Sequence, residues 1–398
     1  MTAARVTRRH AAVQHFHHLD EADRHRLFFS APEELAADAD RDMLATALGA
    51  TLYMPADRAD LAATVTRRAA EGICSMVLDL EDAIDDGATA TALANVVNTL
   101  DILAAAPDPL RAMLFVRVRT RDCIGRITEA LGTGAAVLRG FVIPKFAAAT
   151  GEHFLTQTAT AAAALGRPLY CMPVLESSQI VYHESRLDEL RGISELLAQH
   201  RDSVLAVRIG ATDLCGMFGI RRDRDHTIYD VHVVGAVIAD IVNQLARTDG
   251  TGFVVTAPVW EYFADHERLF RTLLRTTPFQ DHDAAGFRDG LVRRDLDGLL
   301  REISLDRANG LVGKTIIHPT HAPAVHALSV VSHEEYRDAT DVLAAESSGV
   351  RRSEYRNKMN ESRPHRIWAQ QVLRRARVFG VARRGVTFVD FLTRLAVT

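Results

Sequence analysis

Eight short apolar runs, each followed by a segment with helical spacing, are the feature that most constrains how this chain of 398 residues can fold. Near-continuous runs of Val, Ile, Leu and Phe are typical of strands that are buried on both faces, as in a parallel sheet covered by helices. The runs begin at Ala50, Ser75, Ala112, Arg139, Pro168, Ser203, Gly252 and Gly310. Eight strand-helix units predict an α/β fold of the TIM (β/α)8 barrel type.

An open, doubly wound sheet is the alternative to a barrel. Such a sheet normally has a glycine-rich phosphate loop after its first strand, whereas the first run here ends in MPADR. Helices are predicted between the runs, for example from Ala59, Val231 and Arg288. The absence of the glycine-rich loop favours the barrel.

The barrel is predicted to occupy residues 49–331, between an N-terminal helical extension (1–48) and a C-terminal helical cap (332–398). From Val350 onward, the chain has twelve Lys or Arg residues and three acidic residues. Several aromatic residues in this segment provide apolar surface that can be buried. We expect this tail to fold over the mouth of the barrel as a lid, with its basic residues holding an anionic substrate.

Composition and net charge limit the classes of protein to which the chain can belong. Hydrophobic residues make up 47% of the chain and charged residues 25%, so that a large core can be buried. The net charge of -4 argues against nucleic acid as a general partner. The four cysteines form no close pair, and no apolar stretch is long enough to span a membrane, which predicts a cytoplasmic protein.

Charged residues follow every predicted strand, at the end of a barrel where active sites are built. Glu176 and Asp213 end the fifth and sixth strands, which are neighbours in a barrel. Two adjacent carboxylates repel each other unless a cation lies between them, and Mg²⁺ suits two carboxylates because water and substrate oxygens complete its shell. A salt bridge of both residues to the arginine-rich loop after Asp213 is the structural alternative.

Arg117 lies on an otherwise apolar third strand, LFVRVRT. An arginine inside a barrel needs an anionic partner, since an unpaired buried charge is costly. A substrate carboxylate or a developing enolate oxygen would serve. The sequence therefore predicts an anion-binding arginine at the mouth.

Seven motifs, in order along the predicted strands, resemble those of the HpcH/HpaI aldolase and citrate lyase β-subunit family, in the phosphoenolpyruvate/pyruvate barrel superfamily. The resemblance runs from about Leu52 to Pro319. The motifs are YMPADR, VLDLEDAI, VRVR, FVIPK, VLES, GATDL and GKTIIHP. The N-terminal extension, the APVWEYF strand and the NKMNESRPHRIWAQ tail resemble a bacterial branch of TIM-barrel carbon-carbon bond lyases associated with tellurium-resistance gene clusters.

The resemblance implies a Mg²⁺-dependent lyase that cleaves a 2-hydroxy or 2-keto acid through an enolate. It implies metal ligands at Glu176 and Asp213, and catalytic roles for Arg117, Glu81 and Asp82. It also implies a substrate-binding set, which consists of Arg58, Arg117, Lys145 and His318. The general base stays open between Glu81, Asp82 and a metal-bound water, with His318 weaker because its role is as plausibly structural.

The sequence also departs from the family's pattern. Thr212 is found where the family usually has Glu, and the loop that follows differs in sequence from that of the family. The resemblance therefore does not identify the substrate beyond a small carboxylic acid. The use of coenzyme A stays open, and a homo-oligomer is expected. The alternative function is a catalytically inactive barrel that binds a partner through its basic C-terminal tail.

Overall fold

A curled parallel sheet forms the centre of the molecule. The computed structural model describes residues 13–36, 38–82, 84–263, 296–344 and 349–396. The strands in this part of the chain are β1 Phe28–Ser30, β2 Ala50–Pro55, β3 Ser75–Asp79, β4 Met113–Arg117, β5 Leu138–Ile143, β6 Tyr170–Leu175, β7 Arg208–Ile209, β8 Lys314–Ile316, β9 Val350–Arg352, β10 Met359–Glu361 and β11 Val381–Ala382. Seven of them pair side by side and parallel, in the order β7-β6-β5-β4-β3-β2-β8.

The segment between β7 and β8 closes this sheet into a ring. The Val207 N–H donates to the Val254 carbonyl at 2.8 Å, and the Val312 N–H donates to the Val255 carbonyl at 2.9 Å. A further parallel bridge joins Thr256 to Val312. The seventh predicted strand thus takes its place through isolated bridges rather than as a continuous strand, and the predicted TIM barrel is confirmed.

Close packing inside the ring explains why the strands read as apolar runs. Every residue of β3 and β5 is buried, because helices cover one face and side chains fill the other. Gly140 in β5 has a φ of +154°, and a Cβ atom there would lie 1.8 Å from the Tyr170 carbonyl oxygen. Glycine is therefore required where β5 approaches β6.

Helices surround the barrel. Those predicted from Ala59 and Val231 are present, and the one predicted from Arg288 is present from Asp297, its first residues lying outside the described part of the chain. No described helix is long and apolar enough to cross a membrane. The helices are Glu21–Leu27, Arg41–Thr46, Leu61–Ala70, Thr89–Ala105, Asp122–Ala130, Ala148–Leu165, Ser178–Val181, His183–Gln199, Ala211–Gly216, His232–Leu245, Asp297–Ala308, Ala322–Ser329, His333–Ala344, Arg366–Phe379 and Phe388–Ala396.

The N-terminal segment and the C-terminal tail pack against each other. β1 pairs antiparallel with β11, with Phe28 opposite Ala382. The buried rings of Phe16, Phe28 and Phe391 meet at centroid separations of 4.9 to 5.9 Å. Aromatic contacts of this kind add to the free energy gained by burial.

This packing places the tail at the N-terminal ends of the barrel strands. The Phe379 ring packs against Gly49, the residue immediately before β2. Arg374 forms an ion pair of 3.1 Å with Asp42, which also precedes β2. The predicted lid over the mouth is therefore wrong for this chain's own barrel. The aromatic residues indicated that the tail packs, but the N-terminal segment, rather than the mouth, supplies their apolar partners.

Buried histidines in this layer should make the protein less stable in acid. Burial lowers the pKa of His15 and of His18 to about 4, and that of His326 well below its usual value. The unfolded chain binds protons near pH 6.5 and the folded chain does not, so stability should fall as the pH drops from about 6.5 toward 4. Thermal melts across this range test the expectation. His15→Phe should weaken the pH dependence, and an equally steep dependence in that variant would contradict it.

Candidate active site

Acidic and basic side chains from five consecutive strands meet at the C-terminal end of the barrel. Asp79 ends β3 and Arg117 ends β4. Lys145 and Glu176 follow β5 and β6, and Asp213 lies in the first turn of the helix that follows β7. The structure thus brings together the predicted metal ligands, the predicted arginine and the predicted lysine.

Arg117 is the central cation of this cluster. Its Nε and Nη2 atoms donate to the two carboxylate oxygens of Asp79 at 2.6 and 2.7 Å, and its Nη1 atom lies 2.9 Å from Glu81 and 3.6 Å from Asp82. Burial would lower the pKa of Arg117, but the hydrogen bonds and charge of Asp79 outweigh burial and raise it. The anionic partner predicted for Arg117 is therefore supplied first by the chain itself.

Lys145 connects the two halves of the cluster. Its Nζ atom lies 2.8 Å from Glu81 and 3.6 Å from Asp82, and its backbone N–H donates to Glu176 Oε1 at 2.8 Å. Lys145 has a φ of +48°, in the left-handed region that residues with a Cβ rarely adopt. Such conformations are concentrated at functional sites. One residue thus positions carboxylates from two different strands.

Glu176 and Asp213 form the predicted carboxylate pair. Glu176 is buried, and its pKa is raised to about 8, first by burial and also by the charge of Asp213. The pKa of Asp213 is raised by burial and by Asp82. A Cβ atom at Gly210 would lie 2.0 Å from Glu176 Oε2. Glycine therefore lets the chain that carries Asp213 pass close to Glu176.

The donor set of this pair fits Mg²⁺. No group of three His, Cys, Asp or Glu side chains in the described residues is arranged to hold a metal by itself. Two carboxylates with room for water and substrate oxygens are the ligands that Mg²⁺ commonly takes, and Mg²⁺ is seldom enclosed by protein alone. The cluster holds five carboxylates, those of Asp79, Glu81, Asp82, Glu176 and Asp213, against the cations Arg117 and Lys145. This excess of negative charge favours a bound cation.

Two of the predicted substrate-binding residues have other contacts. Arg58, after β2, forms an exposed ion pair of 3.1 Å with Asp60. His318, after β8, stacks on Phe263 at a centroid separation of 4.5 Å, and its Nδ1 atom hydrogen-bonds to the Thr320 hydroxyl at 2.7 Å. Their roles in binding substrate stay a prediction.

Sequence reasoning missed a second arginine inside the barrel. Arg208 is buried, and its Nη2 atom donates to the Thr315 hydroxyl at 2.6 Å. Its guanidinium lies 5.4 Å from the centre of the Tyr53 ring, which Arg117 approaches at 5.6 Å. The lone arginine in the apolar run SVLAVRIG carries the same signal that identified Arg117 and could have been found in the same way.

The fold and the site together define an enzyme of the TIM-barrel class, with an acidic cluster at the C-terminal mouth. The model of the family of carbon-carbon bond lyases of the TIM-barrel fold matches residues 42–381, and the chain belongs to that family. Family membership and the assembled site favour the enzyme over the inactive binding protein. The resemblance inferred from the motifs is confirmed.

Three solved structures are similar to this chain, and the first of them shows the same fold. CitE from Mycobacterium tuberculosis, in complex with magnesium, acetoacetate and coenzyme A, is 23% identical, covers 83% of this chain and 99% of its own, and has a TM-score of 0.51. A malate synthase from Haloferax volcanii, in a magnesium and glyoxylate complex, is 13% identical over 69% of this chain and 73% of its own, with a TM-score of 0.48. An HpcH/HpaI aldolase from Desulfitobacterium hafniense DCB-2 is 15% identical over 69% and 88%, with a TM-score of 0.39. No curated protein matches the chain.

Proposed function

We propose that the protein is a Mg²⁺-dependent lyase that cleaves, or in reverse forms, a carbon-carbon bond of a small 2-hydroxy or 2-keto acid through an enolate. The observation that carries the proposal is the placement of Glu176 beside Asp213, at the ends of neighbouring strands and within a cluster that has more carboxylates than cations. Bound there, Mg²⁺ would supply Lewis-acid polarisation of the substrate carbonyl.

The chain's own cations would orient the substrate and stabilise negative charge. Arg117 is held by Asp79 at two points, so that its guanidinium cannot rotate away when charge develops on an enolate oxygen. The Lys145 side chain is 55% exposed and can also face an anion. Donors fixed before the reaction cost no reorganisation during it.

Asp82 is the carboxylate best placed to move a proton. Glu81 is buried between Arg117 and Lys145, at 2.9 and 2.8 Å, and its side chain is committed to both cations. The Asp82 side chain is 53% exposed and lies 3.6 Å from each of the same cations, so it can reach a substrate at the mouth. We assign proton transfer to Asp82 and a positioning role to Glu81.

The ligands of a similar structure are in keeping with this chemistry. The CitE complex holds magnesium and acetoacetate, a small 3-keto acid, together with coenzyme A. A small carboxylic acid is therefore the proposed substrate here. Coenzyme A is the partner to test next, by adding the free thiol and its acetyl thioester to the protein with Mg²⁺.

Asp213→Asn should abolish high-affinity Mg²⁺ binding. The change removes a negative charge from the carboxylate pair and leaves the shape of the side chain almost unchanged, so the fold should persist. Loss of even an outer-shell group costs roughly 10- to 100-fold in metal affinity, and loss of a ligand should cost at least as much. Calorimetric titration with MgCl₂ measures the effect.

The matched control is Asp188→Asn, in which an 82%-exposed carboxylate on the helix His183–Gln199 is changed in the same way. It should bind Mg²⁺ like the unchanged protein. Equal Mg²⁺ affinity in the Asp213 and Asp188 variants would show that the acidic cluster is not the metal site.

A further inference from the structure

A cavity lies at the opposite end of the barrel from the acidic cluster. Its volume is about 500 Å³, and it separates the helix Arg366–Phe379 from the residues that precede β7 and β8. Cavities of a few hundred cubic ångströms are of the size that binds small molecules and cofactors. Six arginines line it: Arg41, Arg201, Arg247, Arg307, Arg374 and Arg375.

Four of these arginines share two carboxylates. Asp42 lies 3.1 Å from Arg374 and 3.6 Å from Arg41. Glu335 lies 3.0 Å from Arg307 and 2.5 Å from Arg375. Each pair of arginines therefore has a single negative charge between them.

The other two arginines contact neutral oxygens in the described part of the chain. Arg201 donates to the carbonyls of Thr251 and Gly252 and stacks on Phe253 at 4.2 Å. Arg247 donates to the Asn243 carbonyl at 2.9 Å and to the Gln244 side chain at 3.2 Å. These contacts hold both guanidinium groups in place without neutralising them.

The remaining acidic groups do not offset this excess of positive charge. Asp306 lines the cavity, but its carboxylate accepts from Lys314 at 2.7 Å and from the Tyr229 hydroxyl. The pKa of Asp249 is lowered first by its hydrogen bonds with Thr251 and, to a smaller extent, by the charge of Arg247. The Nε atom of Arg375 is buried with no hydrogen-bond partner among the described residues. A buried donor without a partner is costly unless a ligand satisfies it.

We propose that this arginine cavity binds a small molecule carrying a diphosphate or triphosphate group. Arginine matches phosphate oxygens with two parallel donors, and a diphosphate or triphosphate concentrates three to four negative charges in a volume that the cavity can hold. The site is distinct from the acidic cluster, because it lies where the strands begin rather than where they end. Its ligand therefore acts as an effector or as a stabilising ligand and not as the lyase substrate.

Calorimetric titration of the full chain with inorganic pyrophosphate tests the proposal, with EDTA present so that the acidic cluster holds no metal. Arg247→Gln and the double variant Arg201→Gln, Arg247→Gln should each weaken binding, the double variant by at least about tenfold, since each hydrogen bond to a charged group contributes to affinity. The matched control is the double variant Arg126→Gln, Arg191→Gln, which removes the same charge from two exposed positions outside the cavity. The control should bind like the unchanged protein.

Parallel titrations with ATP and citrate identify the chemistry recognised. Tighter binding of ATP than of pyrophosphate would support a nucleotide, and equal binding would support the phosphate group alone. Citrate binding as tight as that of pyrophosphate would overturn phosphate recognition. The proposal is also overturned if neither phosphate compound binds at millimolar concentration, or if the control variant loses as much affinity as the cavity variants. Asp213→Asn, tested for Mg²⁺, should leave pyrophosphate binding unchanged, so that a failure here is separable from a failure of the proposed lyase site.

Discussion

Lys314→Met should lower the free energy of unfolding by about 3 to 5 kcal/mol, the range observed when one partner of a buried ion pair is removed. The Lys314 side chain is fully buried, and its Nζ atom lies 2.9 Å from Glu302 and 2.7 Å from Asp306. Arg222 also pairs with Glu302, so this carboxylate keeps one cation in the variant. Among the residues that the structure describes, Asp306 would keep only the hydrogen bond from the Tyr229 hydroxyl, of 2.8 Å. The loss of stability should therefore come mainly from Asp306.

Urea denaturation of the variant and of the unchanged protein measures this difference. Burial raises the pKa of Asp306 to about 6, even though Lys314 lowers it. Without Lys314 this pKa should rise further, and a protonated Asp306 carries no unpaired charge. The difference in stability should therefore be largest near about pH 8 and shrink near about pH 5.

Arg191→Met is the control, because this arginine is 63% exposed, its partner Asp188 is 82% exposed, and solvent screens the ion pair between them. The control should cost less than Lys314→Met. Equal losses in the two variants, or a difference that does not depend on pH, would contradict the account of the buried network.

The same network shows why part of the structure could not be predicted from the sequence. Hydrophobic spacing identifies which apolar side chains are buried, and it identified the barrel strands, including the run from Gly252 that closes the ring. It carries no information on buried charges. Glu302 and Asp306 are four residues apart on one helix and look like the exposed face of an amphipathic segment, because their partner Lys314 lies on the next strand.

For the candidate site, too, the positions of the residues could be predicted from the sequence but their contacts could not. Strand ends could be located from the apolar runs, so Glu176, Asp213 and Lys145 were expected to come together. The partners of each charge could not be assigned, since they depend on side-chain direction across strands. The sequence predicted that Arg117 binds a substrate anion. In the structure, two of its nitrogen atoms already donate to the carboxylate of Asp79.

Arg117→Lys should reduce turnover by about 10²- to 10³-fold, the loss that follows removal of a fixed donor to a developing oxyanion. Lysine keeps the charge but presents its donors on a single nitrogen. It cannot hold both oxygens of Asp79 and still reach Glu81, which Arg117 does through three separate nitrogens. The cation should therefore lose its fixed position, while Mg²⁺ binding at Glu176 and Asp213 should change little.

Enolate formation can be measured without knowing the second product of the reaction. With Mg²⁺ present, exchange of the methyl protons of pyruvate with deuterated water reports enolisation, and calorimetry with oxalate reports affinity for an enolate-like dianion. Arg117→Lys should slow exchange and weaken oxalate binding together. Arg119→Lys is the matched control, because Arg119 follows the same strand and its guanidinium donates to the Ile84 carbonyl at 2.9 Å. An Arg117 variant that exchanges and binds oxalate like this control would make Arg117 a structural ion pair, and the oxyanion role would then have to be sought at Lys145.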